Sequence, residues 1–418
     1  MTSGLRALTA RGRSFIASGV AALLCAFLFG EHDLLRIGVL IVSLPLLAAM
    51  VVSRTRYRLS CTRRLDPPRA QVGSEATVTL RLENVTRLPT GLLMIEDTVP
   101  YALGARPRFV LDRVEAHGVR EIDYRVRSDL RGRFAIGPLT VRISDPFGLV
   151  ELTRSFSISD TLVVTPQVVP LPQVRLSGEL AGGGDSRTRS VAAAGDDDVA
   201  PREYRQGDDL RRVHWRSTAR YGELMVRREE QQWQSRGALL LDTRRYAHRG
   251  EGPRSSFETA VSAAASIGAH LAREGLGLRL VTDQGAEQLP DTGPGWPLLD
   301  ALAMVRTSAA RSLEYGIAAL RQGGGDGLVV AIVGLLDVEQ ARDLARLRRG
   351  NMTGVAVMLD VAGWEQPEAA GNEHYRAAQQ VLAGAGWRIV RLPSDASIAS
   401  VWPEAAQRGR FALSGSGS

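Results

Sequence analysis

Two uncharged apolar runs close to the amino terminus, Ser14 to Gly30 and Ile37 to Ser53, constrain the fold more than any other feature of the chain. Each is about 17 residues, roughly 25 Å as a helix, a little under the ~30 Å of a typical hydrocarbon core but inside the range that crosses one. Only EHDLLR, Glu31 to Arg36, separates them, so residues 1–56 read as a tight two-helix transmembrane hairpin with spans at about 14–30 and 37–53. The competing reading is a pair of buried helices in a soluble core. Pro45 argues against it, because a mid-helix proline is better tolerated in a membrane helix than in a soluble one. A cleaved secretory signal would need a small-residue site after the first run, and a lipoprotein would need a small residue before Cys25, where Leu24 stands.

The arginines assign an orientation. Arg6, Arg11 and Arg13 precede the first run, and Arg54, Arg56, Arg58, Arg63 and Arg64 follow the second, whereas the loop has Arg36 against Glu31 and Asp33. The positive-inside bias places both termini and the soluble domains in the cytoplasm, with the hairpin in the inner membrane and the lipid bilayer as a partner. These first 64 residues account for the whole formal net charge of +7, so the basic excess flanks a bilayer and does not mark a nucleic-acid recognition domain. All basic residues are arginine, which excludes a P-loop lysine, a kinase lysine and a Schiff base. Cys25 and Cys61 make neither a disulfide framework nor a zinc site, and fit a reducing compartment.

After the hairpin the hydrophobic period becomes two. Val78, Leu80 and Leu82 alternate with Thr79, Arg81 and Glu83, and Ile122, Tyr124 and Val126 repeat the pattern. Turn residues at Gly73, Asn84, Pro100, Gly118, Gly132, Gly137 and Asp145–Pro146 divide residues 57–170 into roughly seven strands, the size of an immunoglobulin-like β-sandwich. Within it the DPFG segment, Asp145 to Gly148, reads as a turn whose Phe147 packs down. Residues 171–200, with GGGD and GDDD and little apolar content, read as a flexible linker. Adjacent carboxylates on an extended chain point alternately and repel, so GDDD is weak as a metal site.

Strand and helix patterns then alternate. Strands are expected at Gly237–Leu241, Leu276–Val281, Leu328–Val333, Val355–Leu359 and Trp387–Leu392, with helices between them such as Ser255–Glu274 and Val338–Arg349. Residues 237–405 therefore read as a doubly wound α/β domain followed by a tail, 406–418. Ligands in such sheets bind at carboxyl strand ends, which singles out Asp242.

Between sandwich and α/β domain lies the densest polar stretch, residues 201–236. REYRQGDDLRRVHWRSTARYGELMVRREEQQW, Arg202 to Trp233, mixes eight arginines, six carboxylates, a histidine and two tryptophans without a long hydrophobic period. Gly207 and Asp208 read as a turn with Asp208 as a helix N-cap, placing Leu210, Val213, His214 and Ser217 on one face. Glu223 to Arg228 reads as a strand fastening the block to the sheet edge. Arg202, Tyr204, Gly207, Asp208, Asp209, Arg212, His214, Trp215 and Arg227 are the candidate signature residues, for a structural or interfacial role.

This stretch resembles the signature block of the bacterial domain of unknown function 58 family, and Arg131 to Leu149 is similar to a segment upstream of it. The resemblance implies a von Willebrand factor A-like α/β domain, and as partners a MoxR-type AAA+ ATPase and a transglutaminase-like membrane protein. Metal-binding domains of that kind use a DxSxS turn whose aspartate and hydroxyls ligate a hard cation. Here Asp242 is followed by Arg244 and Tyr246 in the two serine positions, and a guanidinium adds charge where the ion would sit, so the site reads as degenerate. Asp283 and Asp337 remain as loop-end acids that equally suit helix caps. No metal or other cofactor is expected. His214 with Asp208 or Asp209 could in principle act in a hydrolase or transferase, but no GxSxG, cysteine nucleophile or HExxH accompanies them. The sequence thus favours a non-enzymatic, membrane-anchored adaptor or assembly factor.

Overall fold

The computed structural model describes residues 8–54, 59–87, 89–145, 147–174, 176, 201–203, 215–227, 236–287, 296–323, 327–348, 352–366 and 372–406. The chain divides into two compact units, Met1–Gln167 with Asp300–Met304, and Val168–Leu299 with Val305–Ser418.

In the first unit, α1 (Ala10–Phe29) and α2 (His32–Arg54) pack as a hairpin. Both are long and apolar enough to cross a membrane, and most of each faces outward, as it would toward lipid. The second exceeds its predicted span because EHDLLR is mostly helical, and the first because its helix already starts at Ala10. Gly30, at φ 68, ends α1 in the left-handed conformation, and α2 begins two residues later, stabilised by an Asp33–Arg36 pair one turn apart. Gly19 and Gly38 let the helices approach closely, since a Cβ on Gly19 would lie 2.5 Å from Val42.

Ten strands follow. They are β1 (Leu59–Asp66), β2 (Arg69–Gln71), β3 (Glu75–Asn84), β4 (Leu92–Asp97), β5 (Arg108–Leu111), β6 (Val119–Arg127), β7 (Gly132–Ile136), β8 (Leu139–Ser144), β9 (Glu151–Phe156) and β10 (Asp160–Thr165). The antiparallel sheet β1-β3-β6 forms one layer; β5-β4-β8-β9 and β2-β10-β7 cover its inner face. The alternation read from sequence is what buries Val78, Leu80 and Leu82 on β3, each stabilised by roughly 1.5–3 kcal/mol relative to exposure. The seven expected strands become ten because short segments such as β2 and β5 pair through backbone hydrogen bonds without a long hydrophobic pattern.

Two expectations here are corrected. Arg63, counted as a membrane-flanking charge, is buried between the layers: its Nε and Nη2 bond both oxygens of buried Asp97, and Nη1 reaches Asp160 and the carbonyls of Ile136 and Ile158. Tyr124 completes the network by donating to Asp97 at 2.6 Å, and burial with this carboxylate pushes its phenol pKa well up. Phe147 does not pack down; it is 63% exposed. Asp145 makes the turn instead, accepting from the amides of Phe147 and Val150, and Leu149 and Val150 supply the buried side chains.

The second unit begins earlier than the predicted linker boundary. Val169 N bonds Ser266 Oγ, and Leu171 and Leu176 are buried while Pro172 and Gln173 are exposed, so the described part of 171–200 is anchored at its leucines. The remainder of that stretch, with GGGD and GDDD, lies outside the described residues. A small antiparallel ribbon pairs β11 (Pro201–Glu203) with β12 (Met225–Arg227), and α3 (Trp215–Tyr221) precedes β12. Among the described residues the ribbon is a sheet of its own, and the stretch that leads from it to the main sheet lies outside them.

The main sheet contains β13 (Arg236–Leu241), β14 (Gly277–Thr282), β15 (Gly285–Glu287), β16 (Leu328–Val333), β17 (Thr353–Leu359) and β18 (Arg388–Leu392). Its order is β15-β14-β13-β16-β17-β18, parallel except for the edge hairpin strand β15. Intervening helices include α4 (Ser256–Arg273), α5 (Trp296–Met304), α6 (Glu314–Gln322), α7 (Val338–Ala345) and α8 (Glu373–Gly384). Ala238, Leu240, Val329 and Ala331 pack toward α6, α7 and α8, while α4 covers the other face. β16 is buried along its whole length, as a strand covered on both sides must be.

Candidate functional site

Chain connectivity reverses between β13 and β16. The strand after β13 lies on one side of it and β16 on the other, which opens a crevice at their carboxyl ends where open α/β sheets hold ligands. Asp242 follows β13 directly and is fully buried there.

The crevice is filled by the chain's own Arg244. Its Nε donates to Asp242 Oδ1 and its Nη2 to Oδ2, both at 2.8 Å, a bidentate pair with no exposed side-chain surface on either partner. Nη2 also reaches the Leu335 carbonyl, and Nη1 bonds Tyr246 Oη and Gln340 Oε1. All five guanidinium donors are used. Burial pulls the Arg244 pKa down, but the hydrogen bonds and charge of Asp242 outweigh it and the net shift is upward. Asp242 is equally saturated, since the amides of Arg244 and Gly334 bond its two oxygens. Gly334 is required by space: a Cβ there would lie 2.2 Å from the Ala247 carbonyl oxygen.

Tyr246 closes the outer side. Its ring lies against the guanidinium, 5.0 Å from Cζ to centroid, and its hydroxyl donates to the Arg311 carbonyl while accepting from Arg244 and Gln340. Gln340 comes from the first turn of α7, whose N-cap is Asp337 through a 2.7 Å bond to the Gln340 amide. His248 supports the floor: its Nε2 donates to the Asp242 carbonyl at 2.8 Å, and its Nδ1 faces Ser256 Oγ. Burial lowers its pKa, keeping the ring neutral.

Other strand-end acids have internal partners as well. Asp283 accepts from Thr243 Oγ1, and Asp360, after β17, is held by Arg391. Asp242, Arg244 and Tyr246 thus come together, and Asp337 acts as a cap. Among the described residues no three His, Cys, Asp or Glu side chains gather in a group. Sequence reasoning missed Gln340, Gly334, His248 and the Leu335 and Arg311 carbonyls. A glycine immediately after the fully apolar β16 was the available signal of close approach.

The signature residues fall differently. Arg202 lies on β11 opposite Val226, and Arg227 lies on β12 opposite Pro201. Tyr204, Gly207, Asp208, Asp209, Arg212 and His214 lie outside the described residues, as do Leu210 and Val213. Trp215 opens α3 and is 71% exposed, so its ring is not core; Tyr221 at the other end is exposed too. Thr218 anchors the helix to the ribbon by accepting from the Met225 amide at 3.0 Å.

Residues 200–363, from the ribbon through the crevice, match the family model described as Protein of unknown function DUF58. Over these residues the chain is similar to the DUF58 family. The DUF58 region accounts for the ribbon, the Arg244 cluster and the strands up to β17. A curated relative, the uncharacterized protein YeaD of Bacillus subtilis, is 26% identical over 234 residues, or 53% of this chain. The chain spans about half of that relative, 55% of its length. Among solved structures, the CARDB domain of a Pyrococcus furiosus protein is 12% identical, covers 26% of this chain and 91% of its own, and has a TM-score of 0.19. The alkylpurine DNA glycosylase AlkC of Pseudomonas fluorescens is 14% identical over 31% of this chain and 39% of its own, with a TM-score of 0.17. At such scores neither likeness carries weight, and the fold rests on the strand pairing described above.

Proposed function

We propose that this protein is a non-enzymatic, membrane-anchored adaptor or assembly factor. The hairpin holds it in the inner membrane with both termini and the soluble domains cytoplasmic. Its β-region is immunoglobulin-like, and its α/β domain is a von Willebrand A-like domain that presents a protein-binding surface. The partner is a MoxR-type AAA+ ATPase, with a transglutaminase-like membrane protein as a second component, in complex assembly or envelope maintenance. One observation carries the reading: the strand-end crevice is occupied by Arg244, with each polar group around it already bonded within the chain. A domain whose ligand crevice is filled in this way acts through its surface.

The exposed aromatic residues of α3 are where that surface is probed. A photoreactive amino acid replacing Trp215 or Tyr221 in the full chain, irradiated in native membranes, is expected to crosslink an AAA+ ATPase. The reading fails if the crosslinked proteins include no ATPase. It also fails if the purified chain turns over a substrate and His214→Ala abolishes that turnover without altering the melting temperature.

A further inference from the structure

The turn that joins β8 to β9 is tied to the base of the helical hairpin. Thr9, the N-cap of α1, donates its amide to the Leu149 carbonyl at 3.0 Å and its hydroxyl to the Gly148 carbonyl at 2.7 Å. Gly12 allows the approach, since a Cβ there would lie 2.3 Å from the Leu149 carbonyl oxygen. Leu149 and Val150 are buried, and with Leu152 they pack against Ile16 of α1 and Leu44, Ala48 and Ala49 of α2.

Those helix residues belong to the two stretches apolar enough to cross a membrane, Ala10–Phe29 and His32–Met50. Ile16 lies about 10 Å along the helix from Thr9, and Leu44 about 9 Å from Met50, at 1.5 Å per residue. A sandwich that stopped short of the bilayer would not reach side chains that far inside the spans. The same turn holds Phe147 outward in a fixed position, its amide bonded to Asp145 and the chain reversed by Gly148 at φ +67. Exposed Arg11 and Arg13 stand on the first turn of α1 beside it, where phosphate headgroups lie when the helix spans.

We propose that this turn is a membrane-interface contact in which Phe147 enters the headgroup region of the leaflet that the hairpin enters, making the lipid surface a partner of the sandwich. The proposal rests on the transmembrane reading of α1 and α2. Interfacial aromatic insertion adds buried apolar area to the anchor and fixes the domain's tilt and distance from the bilayer. A helix pair alone would set neither.

The test uses the full chain carrying Cys25→Ser, reconstituted in phosphatidylethanolamine–phosphatidylglycerol vesicles. Cys61 stays in place, because it is buried and burial pushes its thiol up to about 11, which suppresses labelling. Nitroxide labels are placed singly through Phe147→Cys, Leu24→Cys within α1, and Val110→Cys on the exposed side of β5. Their relative accessibility to oxygen and to a water-soluble nickel chelate reports depth. The expected order of the oxygen-to-nickel ratio is Leu24 highest, Phe147 several-fold above Val110, and Val110 aqueous. A Phe147 label matching Val110, with Leu24 still deep, overturns the interfacial contact and leaves the hairpin reading intact. A Phe147 label shielded from both reagents indicates a protein contact and also overturns it. An aqueous Leu24 label overturns both.

Discussion

At the scale of single residues, two buried arginines decide more than the exposed ones. Arg244→Ala leaves Asp242 buried without its partner and is expected to cost about 3–5 kcal/mol, read as a lowered unfolding midpoint. Arg244→Ala combined with Asp242→Ala should cost less than the two single changes added, because the stranded charge is gone. Arg63→Ala is expected to cost a similar amount for the same reason, whereas Tyr124→Phe removes one bond to Asp97 and should cost about 1–2 kcal/mol. His248 gives the pH dependence. Its folded pKa lies below the ordinary 6.5, so between the two values the unfolded chain binds more protons and stability rises with pH. That contribution is fully present above about pH 6.5 and is lost as the pH falls through the folded value. His248→Gln should flatten this part of a plot of melting temperature against pH.

At the scale of elements, caps and turns were partly readable. Asp337 was legible as a loop-end acid that suited either a ligand or a helix cap, and it caps α7. Asp145–Pro146 was legible as a turn, but which side chain points inward was not. That depended on Asp145 folding its carboxylate back to two amides and on Thr9 arriving from 139 residues away. Thr9→Ala should lose about 1 kcal/mol from the cap, and more if the bond to Gly148 is also unreplaced, measured by hydrogen exchange of the Leu149 and Val150 amides. In the signature block, the strand expected at Glu223 to Arg228 appears as the shorter β12, while Trp215 lies on the surface. An arginine- and tryptophan-rich sequence signals polar contacts without saying whether they are internal or offered to a partner.

At the scale of the whole molecule, the proposed topology and the filled crevice each have a test. With both termini cytoplasmic, a cysteine placed at Ser74 should stay unlabelled by an impermeant reagent in intact cells and react after lysis; labelling in intact cells would put the sandwich outside. The proposed orientation rests on Arg11, Arg13, Arg54 and Arg64 once Arg63 is removed from the count. For the α/β domain, Mg²⁺, Ca²⁺ or Mn²⁺ is expected to leave the melting temperature of the full chain unchanged. A bound ion at a hundredfold excess over Kd would add about 2.7 kcal/mol, so an upward shift that disappears in Asp242→Ala would show that Arg244 yields to the cation.

The sequence by itself determined the periodic parts: two apolar helices, a stretch of alternating strands, and the helix and strand succession from β13 to β18. Period and polarity are local properties, and solvent, whether lipid or water, acts on them residue by residue. Only the tertiary structure decided where the isolated charges and aromatics went. Arg63 follows the apolar runs in sequence, yet its guanidinium is held by Asp97, Asp160 and two carbonyls 73 and 95 residues away. Arg244 sits two residues from Asp242, so that pair was foreseeable, but the crevice closes only because Gln340, Leu335 and Arg311 arrive from distant segments. A buried charge is stable only when all of its donors and acceptors are met, and that condition is set by partners brought together in space.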